Sequence, residues 1–398
     1  MNMPWIGWRL KREVHEAGVG RIADCIVDPV LRLRFLRAMA PRSMVLQRLS
    51  KLHLRHWILG ACMILLLLTP ILLKLAAGKP EPPHTAPIAL RRAAAGDPPK
   101  AVSVWQVEQA GDAEFYSNGL RVDTSLTVAN RPRLYTAFQR NAASINRVQR
   151  TEPAGIVYHT TESCQAPFDA EDTPVLKRLG ESLLDYVRRK RAYHYLIDRF
   201  GRVFRVVAES DSANHAGYSI WADDEWFYLN LNESFLGISF EAQSHPGPTE
   251  GVVSPAQVRS AAMLTEMLRS RYRIPAGNCV THAQVSVNPS NMLVGYHKDW
   301  AAGFPFAELG LPDNYQLPLP SLWAFGFDCA PDWLAGSGSR MADGVALGEQ
   351  DFARRAATAG VAPAAYRKVL RQQYRAWLAE VRRTSSPIAQ PRSGSAGR

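Results

Sequence analysis

NCVTHAQVSVNPSNMLVGYHKDW, Asn278 to Trp300, sets two histidines, a lysine and an aspartate behind a short apolar run. A second stretch, GIVYHTTES from Gly155 to Ser163, is apolar and β-branched up to Tyr158 and ends on His159. It reads as a buried strand with a functional tip. If the two stretches meet in the fold, His159 and His282 form the beginning of a divalent metal site. Their separation of 123 positions does not by itself require this.

The segments between them supply a sheet and its covering helices. Thr173-Pro174 reads as an N-cap followed by proline at the first helical position, with Val175, Leu176, Leu179, Leu183 and Val187 on one face. AYHYLIDRFGRVFRVV, Ala192 to Val207, is two strand-like runs around Gly201 and predicts a β-hairpin. LGISFEA, Leu236 to Ala242, alternates as a strand, with Ile238 and Phe240 on one face and Ser239 and Glu241 on the other. Ser254-Pro255-Ala256-Gln257 has capping-box spacing and opens a helix that stops before Ile274-Pro275. Strand, helix, hairpin, strand and helix in this order predict a mixed α/β fold, a central mixed β-sheet flanked by helices.

Charge and hydropathy place the rest. The 398 residues are 46% hydrophobic with a formal charge of +11, which points to a polyanionic neighbour without choosing one. Residues 1–56 carry eleven Lys/Arg against four acids and read as a basic cytoplasmic arm. WILGACMILLLLTPILL follows, Trp57 to Leu73, without a charge. About 17 apolar residues reach the lower limit for spanning a bilayer core. With the positive excess before it, the run predicts a single transmembrane helix over 57–75 with the N-terminus in the cytoplasm. A cleaved signal peptide is the competing reading, and the 56 residues ahead of the run oppose it. The Pro/Ala-rich stretch 76–103 reads as a spacer, and 104–331 as the globular domain, for whose first part, to Asn146, the sequence supplies only strand-like fragments such as LTVA, Leu126 to Ala129, and the LYTAF that follows. A helical region over 332–383 carries the stripe Tyr366, Leu370, Tyr374, Trp377 and Val381, and reads as packed on the domain; 384–398 reads as a disordered tail. Five scattered cysteines make no disulfide framework. Nucleic-acid binding is disfavoured because much of the positive excess sits beside the predicted membrane span, where anionic lipid accounts for it.

Five pieces, in order, resemble the zinc-dependent N-acetylmuramoyl-L-alanine amidase family, whose fold is shared with peptidoglycan recognition proteins and the phage T7 type of lysozyme. GIVYHTTES resembles the strand ending on the first zinc histidine, and AYHYLIDRFGRVFRVV the central hairpin. NHAGYS, Asn214 to Ser219, resembles the family's Trp-His-Ala-Gly element, LGISFEA its Ile-Gly-Ile-Glu strand, and VTHAQVS its second zinc-histidine segment. The resemblance spans 155–306 and does not cover the arm, the predicted span, the spacer or the C-terminal region.

What it implies is a Zn2+ site on His159, His282 and a third ligand, Asp299 or His297, beyond a loop, VNPSNMLVGY, that looks like an insertion. Two imidazoles and a carboxylate leave a fourth position for water, as catalytic zinc needs. The family's acid falls on Ser239 here, so Glu241, two residues on and about 7 Å along the same face, is the candidate general base. His297 stands where many members have a catalytic lysine, and Tyr193 matches the tyrosine of the family's Tyr-His pair; both are candidates for stabilising an oxyanion. His215 and Asn214 are candidate substrate contacts. The implied activity is hydrolysis of the amide between N-acetylmuramic acid and L-alanine in peptidoglycan, by a periplasmic domain held at the inner membrane. The alternative is a peptidoglycan- or muropeptide-binding module of the same fold that does not cut.

Overall fold

The computed structural model describes residues 103–140, 146–244 and 253–385, all within one compact unit, Ala95–Arg398. Strands β1 (Gln106–Ala110), β2 (Ala113–Tyr116) and β3 (Arg121–Asp123) lead to β4 (Tyr135–Gln139) and β5 (Arg147–Arg150). Then come β6 (Gly155–Thr160), helix α1 (Thr173–Lys190), β7 (Tyr195–Ile197), β8 (Val203–Arg205), β9 (Trp221–Ala222), β10 (Trp226–Tyr228), the short helix α2 (Leu231–Ser234) and β11 (Phe235–Phe240). After α3 (Pro255–Tyr272) follow β12 (Cys279–Thr281), α4 (His282–Val285), β13 (Val287–Asn288) and β14 (Leu293–Val294). The chain continues through α5 (Pro320–Trp323), β15 (Asp328–Cys329), α6 (Pro331–Ala335), α7 (Ser339–Thr358) and α8 (Pro363–Ser385).

The central sheet has the order β1-β2-β3-β8-β7-β11-β6-β12. Strand β11 runs parallel to both β6 and β7, β12 runs parallel to β6, and β7–β8 is an antiparallel hairpin, so the sheet is mixed. Every residue of β6 and β11 is buried, as expected of strands covered on both faces. Ile156, Tyr158, Ile238 and Phe240 share one core with Ala261, Leu264, Met267 and Leu268 of α3. On the other face Leu196 and Phe204 pack with Leu184 and Val187 of α1. Because Ser239 stands beside both His159 and Leu196 in register, the tip of β6 presents His159 on the α1 face.

Local signals explain the element boundaries. The Ser254–Gln257 capping box forms, Gln257 N–H donating to Ser254 Oγ at 3.2 Å and Ser254 N–H to Gln257 Oε1 at 2.9 Å. Such caps contribute about 1 kcal/mol. Gly201 takes φ +81, and a Cβ there would lie 2.7 Å from the Ala256 carbonyl, so only glycine fits the hairpin turn. The cap of α1 differs from expectation: the helix begins at Thr173 and Asp172 is its N-cap, without a side-chain hydrogen bond.

Two further differences concern larger pieces, and the C-terminal helices pack on the domain as expected. Leu126–Ala129 is no strand; only a bridge of Val128 to Val207 forms there. The stretch VNPSNMLVGY folds as the β13–β14 hairpin, with β15 parallel to β14. Residues 332–383 contribute Met341, Phe352, Leu370, Tyr374 and Trp377 to the same core as the sheet, and the Trp377 ring stacks on Phe138 at 4.5 Å and 5°. Cys164, Cys279 and Cys329 are free thiols. Among the described residues no helix is long and apolar enough to cross a membrane. The basic arm, the candidate span 57–75, nearly all of the spacer and the tail beyond Ser385 lie outside the described residues.

Candidate metal centre

His159, His282 and Asp299 converge at the C-terminal ends of β6 and β12, each with a ligand atom within 4.8 Å of the others. They are 1%, 4% and 8% exposed. His159 Nδ1 stands 3.1 Å from Asp299 Oδ2, and His282 Nδ1 2.8 Å from Oδ1 and 3.0 Å from Oδ2. Burial, with His282 alongside, pushes the His159 imidazole down to about 4. Burial alone would raise Asp299, but the neighbouring histidines hold it far below the usual carboxylate range. Two imidazoles and an ionised carboxylate in a buried site are a donor set for a borderline-soft divalent cation, which fits zinc.

Each ligand is held by its element. His159 is the penultimate residue of the buried strand β6, and His282 opens α4 directly after β12. Asp299 arrives through the β13–β14 hairpin, which turns the chain back over 17 positions, and its carbonyl accepts from Ala283 N–H at 3.1 Å. Trp300 follows in the left-handed region at φ +60, its ring buried against Phe240 and Phe304 and its carbonyl accepting from Tyr315 Oη at 2.7 Å. A bulky residue in that conformation stores strain that its surroundings must hold. Asp299 is thereby the third member of the cluster. His297 is exposed and stacks on His282 at 4.5 Å and 24°, outside the cluster.

The remaining candidates divide. Tyr193, at φ +60, places its ring 5.1 Å from His159, and burial together with the Asp299 charge raises its hydroxyl. His215 lies against the other nitrogen of His159, Nδ1 to Nε2 at 3.1 Å. Asn214 points elsewhere: its side chain donates to Lys190 O at 2.9 Å and its backbone ties into Arg191 and Tyr193, fastening the end of α1. Glu241 is a correction. It keeps the face of Ser239 but passes under α1, where its carboxylate lies against Gly180 and accepts from Arg199 N–H at 3.1 Å. Burial raises it, opposed by that N–H. The position beside His159 is filled by Ser239, which is buried with its hydroxyl towards that of Tyr193.

Sequence reasoning missed His215 as a neighbour of His159 and the Trp300–Tyr315 lock. A signal existed for the first: Gly237, inside a buried strand, marks a close approach, and a Cβ there would lie 2.6 Å from His215 Cγ.

Fold and site together define a mixed α/β domain with a buried His-His-Asp centre at the ends of parallel strands. Residues 149–297 match the sequence model of the N-acetylmuramoyl-L-alanine amidase family, so the resemblance carried by the five motifs holds over this segment. Among solved structures the chain is similar to AmiD from E. coli in complex with anhydro-N-acetylmuramic acid-L-Ala-D-gamma-Glu-L-Lys, at 20% identity, 65% of this chain, 92% of that one and a TM-score of 0.32. It is also similar to AmpDH3 from Pseudomonas aeruginosa in complex with anhydromuramic pentapeptide, at 23% identity and a TM-score of 0.30; 40% of this chain is covered, and it spans 58% of that protein. Drosophila peptidoglycan recognition protein SD is similar at 16% identity, 41% of this chain, 85% of that one and a TM-score of 0.24. Comparison with curated proteins gave no match.

Proposed function

We propose that the protein is a zinc-dependent peptidoglycan amidase that hydrolyses the amide between N-acetylmuramic acid and the L-alanine of the stem peptide. The observation that carries this reading is the convergence of His159, His282 and Asp299 in a segment that matches an amidase family. Zinc bound there would supply Lewis acidity to a scissile carbonyl and lower the pKa of water. The chain's own residues supply the rest. Asp299 stays ionised and His159 neutral, so both keep lone pairs for the cation. Tyr193, beside His159 with a hydroxyl that resists ionisation, is a hydrogen-bond donor for developing negative charge on the carbonyl oxygen. His297 stacks on His282 at the rim, where burial and the His282 neighbour push its imidazole down to about 4, so it is neutral at neutral pH and carries no charge for an oxyanion.

The apolar run 57–73 after a basic arm supports anchoring in the inner membrane, with the domain on the periplasmic side where peptidoglycan lies. A second reading, a module that binds peptidoglycan or muropeptide without cutting it, is favoured by one observation. No carboxylate occupies the place of Ser239, and Glu241 is turned under α1.

Peptide release from purified peptidoglycan separates the two. The amidase reading expects release by the zinc-loaded protein and its loss in His159→Ala. A zinc-loaded protein that retains peptidoglycan but releases no peptide establishes the binding module instead.

A further inference from the structure

The two histidines of the centre are not held alike. His282 Nε2 is buried without a hydrogen-bond partner, whereas His159 Nε2 meets His215 Nδ1 at 3.1 Å. The far nitrogen of His215, Nε2, lies 3.3 Å from the carbonyl of Phe235. A carbonyl only accepts, so the proton of a neutral His215 sits on Nε2 and its Nδ1 is an acceptor. The proton of His159 must then be on Nε2, donated to His215. Its Nδ1 is left as a bare lone pair 3.1 Å from Asp299 Oδ2. A lone pair facing a carboxylate is a contact that a cation between them satisfies.

His215 is built into place. Its backbone N–H and those of Ala216 and Gly217 all donate to Asn232 Oδ1, at 2.8, 2.7 and 2.7 Å. Its ring rests on Gly237, where no side chain fits. Gly237 is itself fixed from the far side, its N–H donating to His194 Nδ1 at 2.9 Å and its carbonyl accepting from His194 N–H at 2.9 Å.

We infer that His215 is a positioning residue for the metal: it sets His159 in the tautomer protonated at Nε2, so that Nδ1 is presented to the cation. This rests on the zinc reading above and changes the part given to His215 from substrate contact to support of a ligand. Metal-ligating histidines commonly donate their second N–H to a fixed acceptor, and loss of such an acceptor weakens metal binding by about 10–100-fold.

The test uses the full chain with 15N-labelled histidine and zinc competition against a chelator. In the metal-free protein, the His159 resonances, identified by their loss in His159→Gln, should show Nε2 protonated and Nδ1 bare. His215→Phe, which fills the space without an acceptor, should erase that bias and weaken zinc by about 10–100-fold; His215→Gln, whose amide oxygen can accept, should recover most of it. A wild-type His159 protonated on Nδ1 overturns the inference even if His215→Phe does not fold. So does a folded His215→Phe that holds zinc within about twofold of wild type. Wild type that takes up no zinc at all defeats the zinc reading instead, and the tautomer still decides the role of His215.

Discussion

Glu241→Gln separates position on a strand face from membership of the site. A general base acting on the reaction would lose about 10²–10⁴ in rate when made an amide. The structure assigns Glu241 a different task, accepting from Arg199 N–H beneath Gly180. Gln keeps an acceptor for that N–H, so peptide release by Glu241→Gln should stay within a few-fold of wild type. The sign of the stability change also follows. Burial raises the Glu241 pKa, so its ionised form is penalised in the folded state and stability falls as pH rises through the titration range. Gln removes that penalty and should leave the protein as stable as wild type, or more so, at neutral pH. Glu241→Ala, by contrast, leaves a buried N–H unpaired at a cost of about 1–3 kcal/mol. Peptide release and urea denaturation of the three proteins measure both effects. A folded Glu241→Gln that has lost a hundredfold or more in release, beyond about 10², refutes this placement.

Trp377→Ala should cost about 3–5 kcal/mol in chemical denaturation, because the ring fills a core shared with Phe138, Phe227 and Phe325; a loss below about 1 kcal/mol would mean that the C-terminal helices are dispensable to the fold. In chelator, stability should rise with pH between about 4 and about 6.5, because His159 in the fold is pushed down to about 4 while the unfolded chain still binds the proton. His194 and His215, also shifted down by burial, act with the same sign, and a flat profile in urea melts across that window contradicts all three. Tyr193→Phe should reduce turnover on peptidoglycan by about 10²–10³ while zinc content is unchanged, and undiminished turnover removes it from the reaction.

What the sequence discloses here follows the strength of local signals. Strand β6 is legible because it is apolar and β-branched up to Tyr158, β11 because it alternates, and α3 because its capping box is written in adjacent residues. Strands β1–β3 escape notice because β1 is exposed throughout and β2 and β3, at four and three residues, are too short to show a period. Asp299 comes home through a hairpin whose turn the spacing cannot announce. The alternation of LGISFEA assigns Glu241 to the right face, yet a face does not specify which neighbour covers it, and Gly180 of α1 does. The partnership of His215 with His159 crosses 56 positions and is written only as a glycine at 237.

The central claim is that His159, His282 and Asp299 hold the metal. Zinc content of the purified full chain, compared with Asp299→Ala and His297→Ala, tests it most directly. The account predicts one zinc per chain in wild type and in His297→Ala, and its loss in Asp299→Ala. Zinc retained by Asp299→Ala and lost from His297→Ala, or no zinc in the wild-type protein, would contradict it.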